Sequence, residues 1–296
     1  MSRPSRTIQI RRPTSALSLI LKRRLLDWIL NGRTERRPAR FAVLPGDVVS
    51  DEVIVAGIYE EVLLASVFEH LLASRLDHLK RSVALDIGAN IGNHSVFFSK
   101  FFARTIAFEP NPATLAVLQC NATLSGNGRI DIVPVGLADQ DGSFEFAEDI
   151  SGNLGGSGFV FAGVRAPARI KCEVRRGDAV LAEKRLEGPI GLVKIDVEGA
   201  ELAVLRGLTG SLREFGPLIL FESNVSAGPS GGNAVLDHLR SLGYCHFVAL
   251  DDGSERGRAA RLLGAAVRGD AVRLSEIDRL EDRRYPLILA SRENVV

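Results

Sequence analysis

Cysteine is scarce in this sequence and does not cluster. The chain of 296 residues holds three cysteines, Cys120, Cys172 and Cys245. Their number is odd, and their positions lack the spacing of a zinc site. A disulfide framework is therefore excluded, and the pattern favours a reducing compartment.

Long apolar runs are missing as well. The best candidate, residues 16–30, is interrupted by Lys22, Arg23 and Arg24, and it falls short of the ~18–20 apolar residues that span a bilayer. It also lacks the long apolar centre and small-residue cleavage site of a signal peptide. We therefore expect a cytoplasmic protein.

Positive charge is concentrated at the N-terminus. Residues 1–40 carry ten Arg and one Lys against two acidic residues, although the net charge of the whole chain is only +1. We predict a basic N-terminal extension over residues 1–44, partly disordered or an amphipathic helix, followed by one domain over residues 45–296. Such a helix is suited to a membrane surface or a protein partner, and equally to loose packing on the domain. No nucleic-acid partner is expected.

Short apolar runs alternate with helical patterns along the rest of the chain. The 46% hydrophobic content is enough for a full core, and a helix is predicted over residues 58–79. Seven strands are predicted near residues 83–87, 105–108, 130–135, 190–195, 217–221, 246–250 and 286–290. This alternation is typical of an α/β protein with a Rossmann-like, doubly wound sheet. Residues 136–189 break the alternation and predict a β-excursion with a Gly-rich loop at Ser151–Gly158.

Polar residues follow the first two strands at the edge where such sheets bind ligands. Asp86, Gly88, Asn90 and Gly92 follow the first strand, without the three glycines of a dinucleotide fingerprint or the Gly-Lys-Ser/Thr of a P-loop. A tight turn capped by Asn90 or Asn93 would explain them equally well. Glu109 ends the second strand, where an acid can hold ribose hydroxyls.

After Glu109, Asn111 and Pro112 are suited to the start of a helix. This structural role is compatible with nucleotide binding by Glu109. The two turns together are more specific for a nucleotide site than either turn alone.

Four segments together resemble a known family, the FkbM-type S-adenosylmethionine-dependent methyltransferases. They are Asp86-Ile87-Gly88-Ala89-Asn90-Ile91-Gly92, Phe108-Glu109-Pro110-Asn111-Pro112, Lys194-Ile195-Asp196-Val197-Glu198-Gly199-Ala200-Glu201 and Phe221-Glu222. The resemblance covers residues 45–250 and implies a seven-stranded class I methyltransferase fold whose last strand is antiparallel. It also implies O-methylation of a hydroxyl on a sugar, glycan or natural product.

The resemblance implies a cofactor site and an acceptor site. S-Adenosyl-L-methionine would be bound by the residues of the first two turns and by Asp139. The full set is Asp86, Gly88, Asn90, Gly92, Glu109, Asn111 and Asp139. For Asp139, an ordinary loop position is an equal alternative. Tyr59, Glu60 and Glu198 would lie on the acceptor side. For Glu198 and Glu201, a favourable place at a helix N-terminus is the structural alternative.

Three residues are candidates for the catalytic chemistry. A hydroxyl is a weak nucleophile until its proton can leave, so a base or a metal is useful. His94, Asp196 and Glu222 could serve as the base, and the two carboxylates could hold a divalent cation, for which the sequence gives no direct support. For His94, a hydrogen-bonding place at the helix start is an alternative.

Other functions use parts of the same pattern. An NAD-dependent oxidoreductase also needs an acid after the second strand, but the missing glycines count against it. A non-catalytic methyltransferase-like binding module is a further alternative, which the intact acidic residues disfavour. The Asn/Asp-Pro-Pro-aromatic motif of amino-methylating nucleic-acid enzymes is not present.

Overall fold

The computed structural model describes the main body of the chain in five segments. These are residues 39–44, 47–147, 169–224, 231–253 and 271–295, together with Leu21 and Arg24. Two compact units are distinguished, Met1–Pro38 and Ala39–Val296. Almost all of the first unit lies outside the described residues, as does the predicted loop Ser151–Gly158, so the predictions for both stay predictions.

Helices occur before and between the strands of the second unit. The α-helices are α1 (Val48–Ala56), α2 (Glu61–Ala65), α3 (Leu76–Leu79), α4 (Asn93–Phe98), α5 (Pro112–Ser125), α6 (Gly177–Glu183), α7 (Glu201–Gly207), α8 (Thr209–Phe215) and α9 (Gly231–Ser241). A π-helix (Ser66–Leu71) and a 3₁₀ helix (Ala73–Arg75) separate α2 from α3. In the described segments, no helix has the length and apolar character needed to cross a membrane.

All seven predicted strands are present. The strands are β1 (Val83–Ile87), β2 (Arg104–Phe108), β3 (Ile130–Val133), β4 (Gly136–Ala138), β5 (Gly142–Ala147), β6 (Arg169–Arg176), β7 (Ile190–Ile195), β8 (Leu218–Asn224), β9 (His246–Asp251), β10 (Arg273–Glu276) and β11 (Arg284–Ser291). The main sheet has the order β10-β9-β11-β8-β7-β1-β2-β3, and β4, β6 and β5 form a second, small sheet.

The doubly wound fold is confirmed, with one strand more than expected. Strands β2, β7 and β8 run parallel to β1 or to its neighbour, whereas β11 is antiparallel to both β8 and β9. The last strand therefore has the expected direction. The eighth strand is β10, which pairs with the outer edge of β9. Its sequence is short and polar, and carries no apolar run that would have predicted it.

Burial of the sheet on both faces explains its apolar strands. In β1, Val83, Leu85 and Ile87 belong to one apolar cluster, whereas Ala84 belongs to a second cluster with Phe68 of the π-helix. Because side chains alternate across a strand, a sheet buried on both faces needs apolar residues at both parities. The carboxyl ends of the strands then become the natural place for polar side chains.

The helix predicted over residues 58–79 is interrupted. Four short segments replace it, and the π-helix lies in the middle. Phe68 is fully buried there and stacks on Phe101 with ring centroids 4.7 Å apart. The π-turn accompanies this aromatic packing, which helical spacing in the sequence does not reveal.

Asn121 connects three separate segments through its side-chain amide. Its Nδ2 donates to the carbonyls of Ile91 (2.7 Å) and Ala42 (3.0 Å), and its Oδ1 accepts from the N–H of Ala42 (2.6 Å). Residues 39–44 are thereby fixed to α5, so the compact unit begins at Ala39 while the sequence placed the domain boundary after residue 44. The turn at residues 88–92 is fixed to the same helix.

The Asn121 amide predicts a large effect of its removal. We expect Asn121→Ala to destabilise the fold by about 2–3 kcal/mol, because it leaves buried backbone groups without partners. Urea unfolding measures this difference. Thr123→Ala is the control, since the Thr123 hydroxyl bonds within α5 to Gln119; an equal loss in both variants would contradict the role of Asn121.

Candidate active site

Asp86 is completely buried at the end of β1. Its Oδ2 accepts a hydrogen bond from Ser95 Oγ at 2.5 Å, and its Oδ1 lies 3.6 Å from the ammonium nitrogen of Lys194. Oδ1 has no hydrogen-bond partner among the described residues. A buried carboxylate needs such partners to remain charged, and the unused Oδ1 is available to a ligand.

The turn after β1 requires glycine for packing as well as for its backbone angles. Gly88 has φ +77°, and a Cβ built there would lie 1.8 Å from the carbonyl oxygen of Asp196. Gly92 has φ +85°, and its Cβ would lie 2.5 Å from a methyl group of Leu118 in α5. The close neighbour of Gly88 is thus the backbone after β7, and its place in the cofactor site stays a prediction.

The residue that caps the N-terminus of α4 differs from the expected one. Gly92 is its N-cap residue, rather than Asn90 or Asn93. Asn90 has a left-handed φ of 52°, and its buried Oδ1 has no partner in the described part of the protein. The side chain of Asn93 instead accepts from the N–H of Tyr59 (2.9 Å) and donates to its carbonyl (3.1 Å).

Glu109 connects the first two turns. Its carboxylate is buried, and its two oxygens accept hydrogen bonds from the backbone N–H groups of Asn90 and Asn111, each at 2.8 Å. Burial raises the pKa of Glu109, while these two hydrogen bonds oppose the rise. Asn111 also caps α5, as predicted, by accepting from the N–H of Ala113.

Lys194 is the central cation of the site. Its ammonium nitrogen lies 3.2 Å from Asp196 Oδ2 and 3.4 Å from the carbonyl oxygen of Gly88, in addition to its contact with Asp86. Burial alone would lower the pKa of Lys194, but Asp196, Asp86 and Glu222 together raise it above its ordinary value. Lys194 therefore remains charged and compensates the carboxylates at the ends of β1, β7 and β8.

Glu222 and Arg284 form an ion pair at the end of β8. Arg284 Nη2 lies 3.2 Å from Glu222 Oε2, and the guanidinium is also near the Tyr59 hydroxyl. Burial raises the pKa of Glu222 well above its ordinary value, and the nearby Asp196 and Glu60 raise it further; Lys194 and Arg284 act in the opposite direction. Asp196 and Glu222 are therefore close enough for the charge of one to act on the other.

His94 is paired with Glu60. His94 Nε2 lies 3.3 Å from Glu60 Oε2, and both side chains are buried. Glu60 adopts a left-handed φ of 58° directly before α2, and Tyr59 packs edge-on against the imidazole ring of His94. The segment predicted to lie on the acceptor side is thus held directly over α4.

Two other predicted residues are exposed to solvent. Glu198 has φ 50°, and its pKa is raised by partial desolvation and then by Asp196 and Glu201. Asp139 is exposed in the bend after β4, and its contact with adenine stays a prediction. Glu201 accepts from the N–H of Gly199 at 2.9 Å, which is the structural role that the sequence favoured for it.

The acidic groups are not arranged as a metal site. In the segments that the structure describes, no three His, Cys, Asp or Glu side chains come together in a way that could hold a metal ion. The ammonium of Lys194 is the positive charge between Asp86 and Asp196.

Comparison with known proteins decides the family. Residues 86–246, more than half of the chain, match the model of the methyltransferase FkbM domain. The chain belongs to the FkbM methyltransferase family. The matched region contains the turn after β1, Glu109, Lys194, Asp196 and Glu222, but not Tyr59, Glu60 or Arg284.

Curated relatives of this FkbM protein are distant. A hexuronic acid methyltransferase, AglP, of Haloferax volcanii is 28% identical over 53% of this chain and 62% of its own length. Methyltransferase 1 of Beauveria bassiana is 28% identical over 43% of this chain and 58% of its own length. The chain thus spans about three fifths of the curated relatives that it matches first.

Solved structures include further similar proteins. An FkbM methyltransferase from Methylobacillus flagellatus KT aligns with 92% of this chain and 60% of its own, at 15% identity and a TM-score of 0.42. A putative methyltransferase from Streptococcus mutans in complex with SAH aligns with 75% of this chain and 98% of its own, at 13% identity and a TM-score of 0.39.

Sequence reasoning missed two charged residues of this FkbM site. Lys194 precedes Asp196 by two positions on β7, and alternation along a strand places both on one face, so this signal was present. Arg284 begins β11, far along the chain from Glu222, and only the pairing of β11 with β8 brings the two together.

The packing of Gly88 against Asp196 predicts a severe effect of adding a single methyl group. We expect Gly88→Ala to destabilise the fold by about 3 kcal/mol or more, because a backbone must move to admit the Cβ. Gly128→Ala is the matched control: its φ is +69°, close to that of Gly88, but nothing lies within 4 Å of its Cβ, so only about 1–2 kcal/mol of backbone strain is expected. Chemical unfolding distinguishes the two, and equal losses would contradict the contact.

The raised pKa of Glu222 predicts a pH-dependent gain in stability for Glu222→Gln. In the unfolded chain this carboxyl loses its proton near its ordinary value of about 4.5, whereas the folded protein retains it to higher pH. Ionisation therefore favours the unfolded chain increasingly as pH rises between the two values. Urea unfolding over a pH series should show that the variant gains stability relative to the wild type above about pH 4.5; a constant difference would contradict the shift.

Proposed function

We propose that this FkbM protein transfers a methyl group from S-adenosylmethionine to a hydroxyl group of a sugar, glycan or natural-product precursor. Membership of a methyltransferase family supports the reaction type. The relative named as a hexuronic acid methyltransferase supports a sugar acceptor. One observation carries the proposal. Glu109 and the turn after β1, which together suit a nucleotide, lie at the same edge of the sheet as the basic carboxyl group of Glu222.

The donor half of the site fits the cofactor chemically. Asp86 Oδ1 and Asn90 Oδ1 are buried acceptors without hydrogen-bond partners in the described protein, and they suit the ammonium group of the cofactor's amino-acid end. The Glu109 carboxylate can accept further hydrogen bonds from ribose hydroxyls, since each oxygen has two lone pairs. When bound, the cofactor supplies an electrophilic methyl group on a sulfonium centre.

The acceptor half can remove a proton from a hydroxyl group. As the oxygen–carbon bond forms and the sulfur–carbon bond breaks, the hydroxyl proton must pass to a base. Glu222 fits this role because a raised pKa makes its carboxylate a stronger base than an ordinary one. Asp196, which is paired with Lys194, would orient the acceptor. His94, which is paired with Glu60, would line the opposite side of the acceptor site or receive the proton from Glu222.

Titration calorimetry tests the donor half directly. We expect S-adenosylmethionine and S-adenosylhomocysteine to bind and NAD not to bind. Glu109→Gln should weaken binding about 10- to 100-fold, because a charge-assisted hydrogen bond is worth about 1.5–3 kcal/mol and 1.4 kcal/mol is tenfold. Glu173→Gln, at an exposed position of β6, is the control and should bind as the wild type does.

Transfer of a labelled methyl group tests the acceptor half. The wild type is incubated with methyl-labelled S-adenosylmethionine and a panel of neutral sugars, hexuronic acids and hydroxylated natural products, and the methylated atom is located by NMR. O-methylation of a panel member supports the proposal. Binding of NAD alone, or cofactor binding with methylation of nitrogen only, would overturn it.

A further inference from the structure

Arg284 lies where a neighbouring strand meets the acceptor half of the site. β11 pairs with β8 so that Arg284 is opposite Asn224 and Tyr285 is opposite Ser223. Glu222 is two residues from Asn224, so it points to the same face of the sheet as Arg284. Such diagonal neighbours are within reach of long side chains, and the 3.2 Å ion pair shows that these two meet.

β11 is irregular close to Arg284. The register of β11 against β8 shifts between Tyr285 and Ile288, and Pro286, which has no N–H to donate, lies within the shift. The break follows the pair of Tyr285 with Ser223, and regular pairing resumes at Ile288. Arg284 begins β11 ahead of this break, while Tyr285 remains buried in the core.

The Arg284 guanidinium joins two parts of the acceptor side. It contacts the carboxylate of Glu222 on the sheet and is near the hydroxyl of Tyr59 on the segment before α2. The Tyr59 backbone is fixed separately by Asn93. Planar guanidinium groups suit such two-partner contacts because their donors form a rigid fork. Both Tyr59 and Arg284 lie outside the region that matches the FkbM family.

We propose that Arg284 is a positioning residue of the acceptor site, which holds the Glu222 carboxylate beside Tyr59 through their ion pair and favours its charged, proton-accepting form. The catalytic role of Arg284 in this inference rests on the proposed function. The charged and titratable groups that face Glu222 are Asp196 and Lys194 from β7, Glu60 and Tyr59 from the segment before α2, and Arg284 from β11. Among them, Asp196 and Glu60 oppose its ionisation, and Lys194 and Arg284 favour it.

The protonation of Glu222 can be followed without any acceptor. Protein labelled with ¹³C at glutamate carboxyl groups is titrated by NMR, and Glu222→Gln assigns the resonance. In Arg284→Gln we expect the titration midpoint of Glu222 to move to higher pH, because a favourable positive charge is lost. Arg283→Gln is the matched control, since Arg283 pairs with Asp251 and Glu281 instead, and it should leave the midpoint unchanged.

Unchanged titration of Glu222 in folded Arg284→Gln would overturn the inference. If that variant fails to fold, Arg284→Lys takes its place: it retains the charge but not the fork, so a smaller upward move is expected, and no move would overturn the inference. These results do not depend on methyl transfer. A failure of the inference is thus distinguishable from a failure of the proposed function, which calorimetry and labelled-methyl transfer detect in the wild type.

The catalytic consequence is measured in the acceptor panel. Arg284→Gln should reduce kcat/KM at neutral pH by roughly tenfold or more, since a positioned base contributes about 10²–10⁴-fold. The loss should shrink as pH rises. A loss that is equal at every pH would indicate structural damage only and would count against the inference.

Discussion

The buried ammonium group of Lys194 is the interaction on which the candidate site depends. A doubly wound sheet places the carboxyl ends of its central strands side by side, and in this chain Asp86, Asp196 and Glu222 meet there. Without a counter-charge, these crowded carboxylates would repel one another. Lys194 lies within ion-pair distance of Asp86 and Asp196, and it makes a charged site compatible with a buried strand end.

The region shared with the FkbM family accounts for the donor half of this site better than for the acceptor half. The turn after β1, Glu109 and Lys194 all lie within residues 86–246. The acceptor half adds Tyr59 and Glu60 from before this region and Arg284 from after it. The proposed donor side thus lies within the shared region, whereas the proposed acceptor side also uses residues outside it.

Much of the fold could be predicted from the sequence because its signals are local. Seven apolar runs mark the seven strands, and Asn111 with Pro112 marks the start of α5. The strand β10 lacks such a run, and the π-helix arises from packing around Phe68, so neither was predictable from periodicity. In the site, Asp86, Glu109, Asp196 and Glu222 were found by their place at or just beyond the carboxyl end of a strand. Arg284 was not, because its partner is specified by antiparallel pairing across some sixty residues of chain.

The contact between Gly88 and the carbonyl of Asp196 bears on how related sequences should be compared. A glycine retained at this position would ordinarily be attributed to recognition of the cofactor. Here the space of the missing side chain is filled by the protein's own backbone, so even a homologue that had lost its donor would still need glycine at this position. Retention of this glycine therefore reflects the packing of the turn after β1 against the backbone after β7. It carries no information about whether a given relative is an active enzyme.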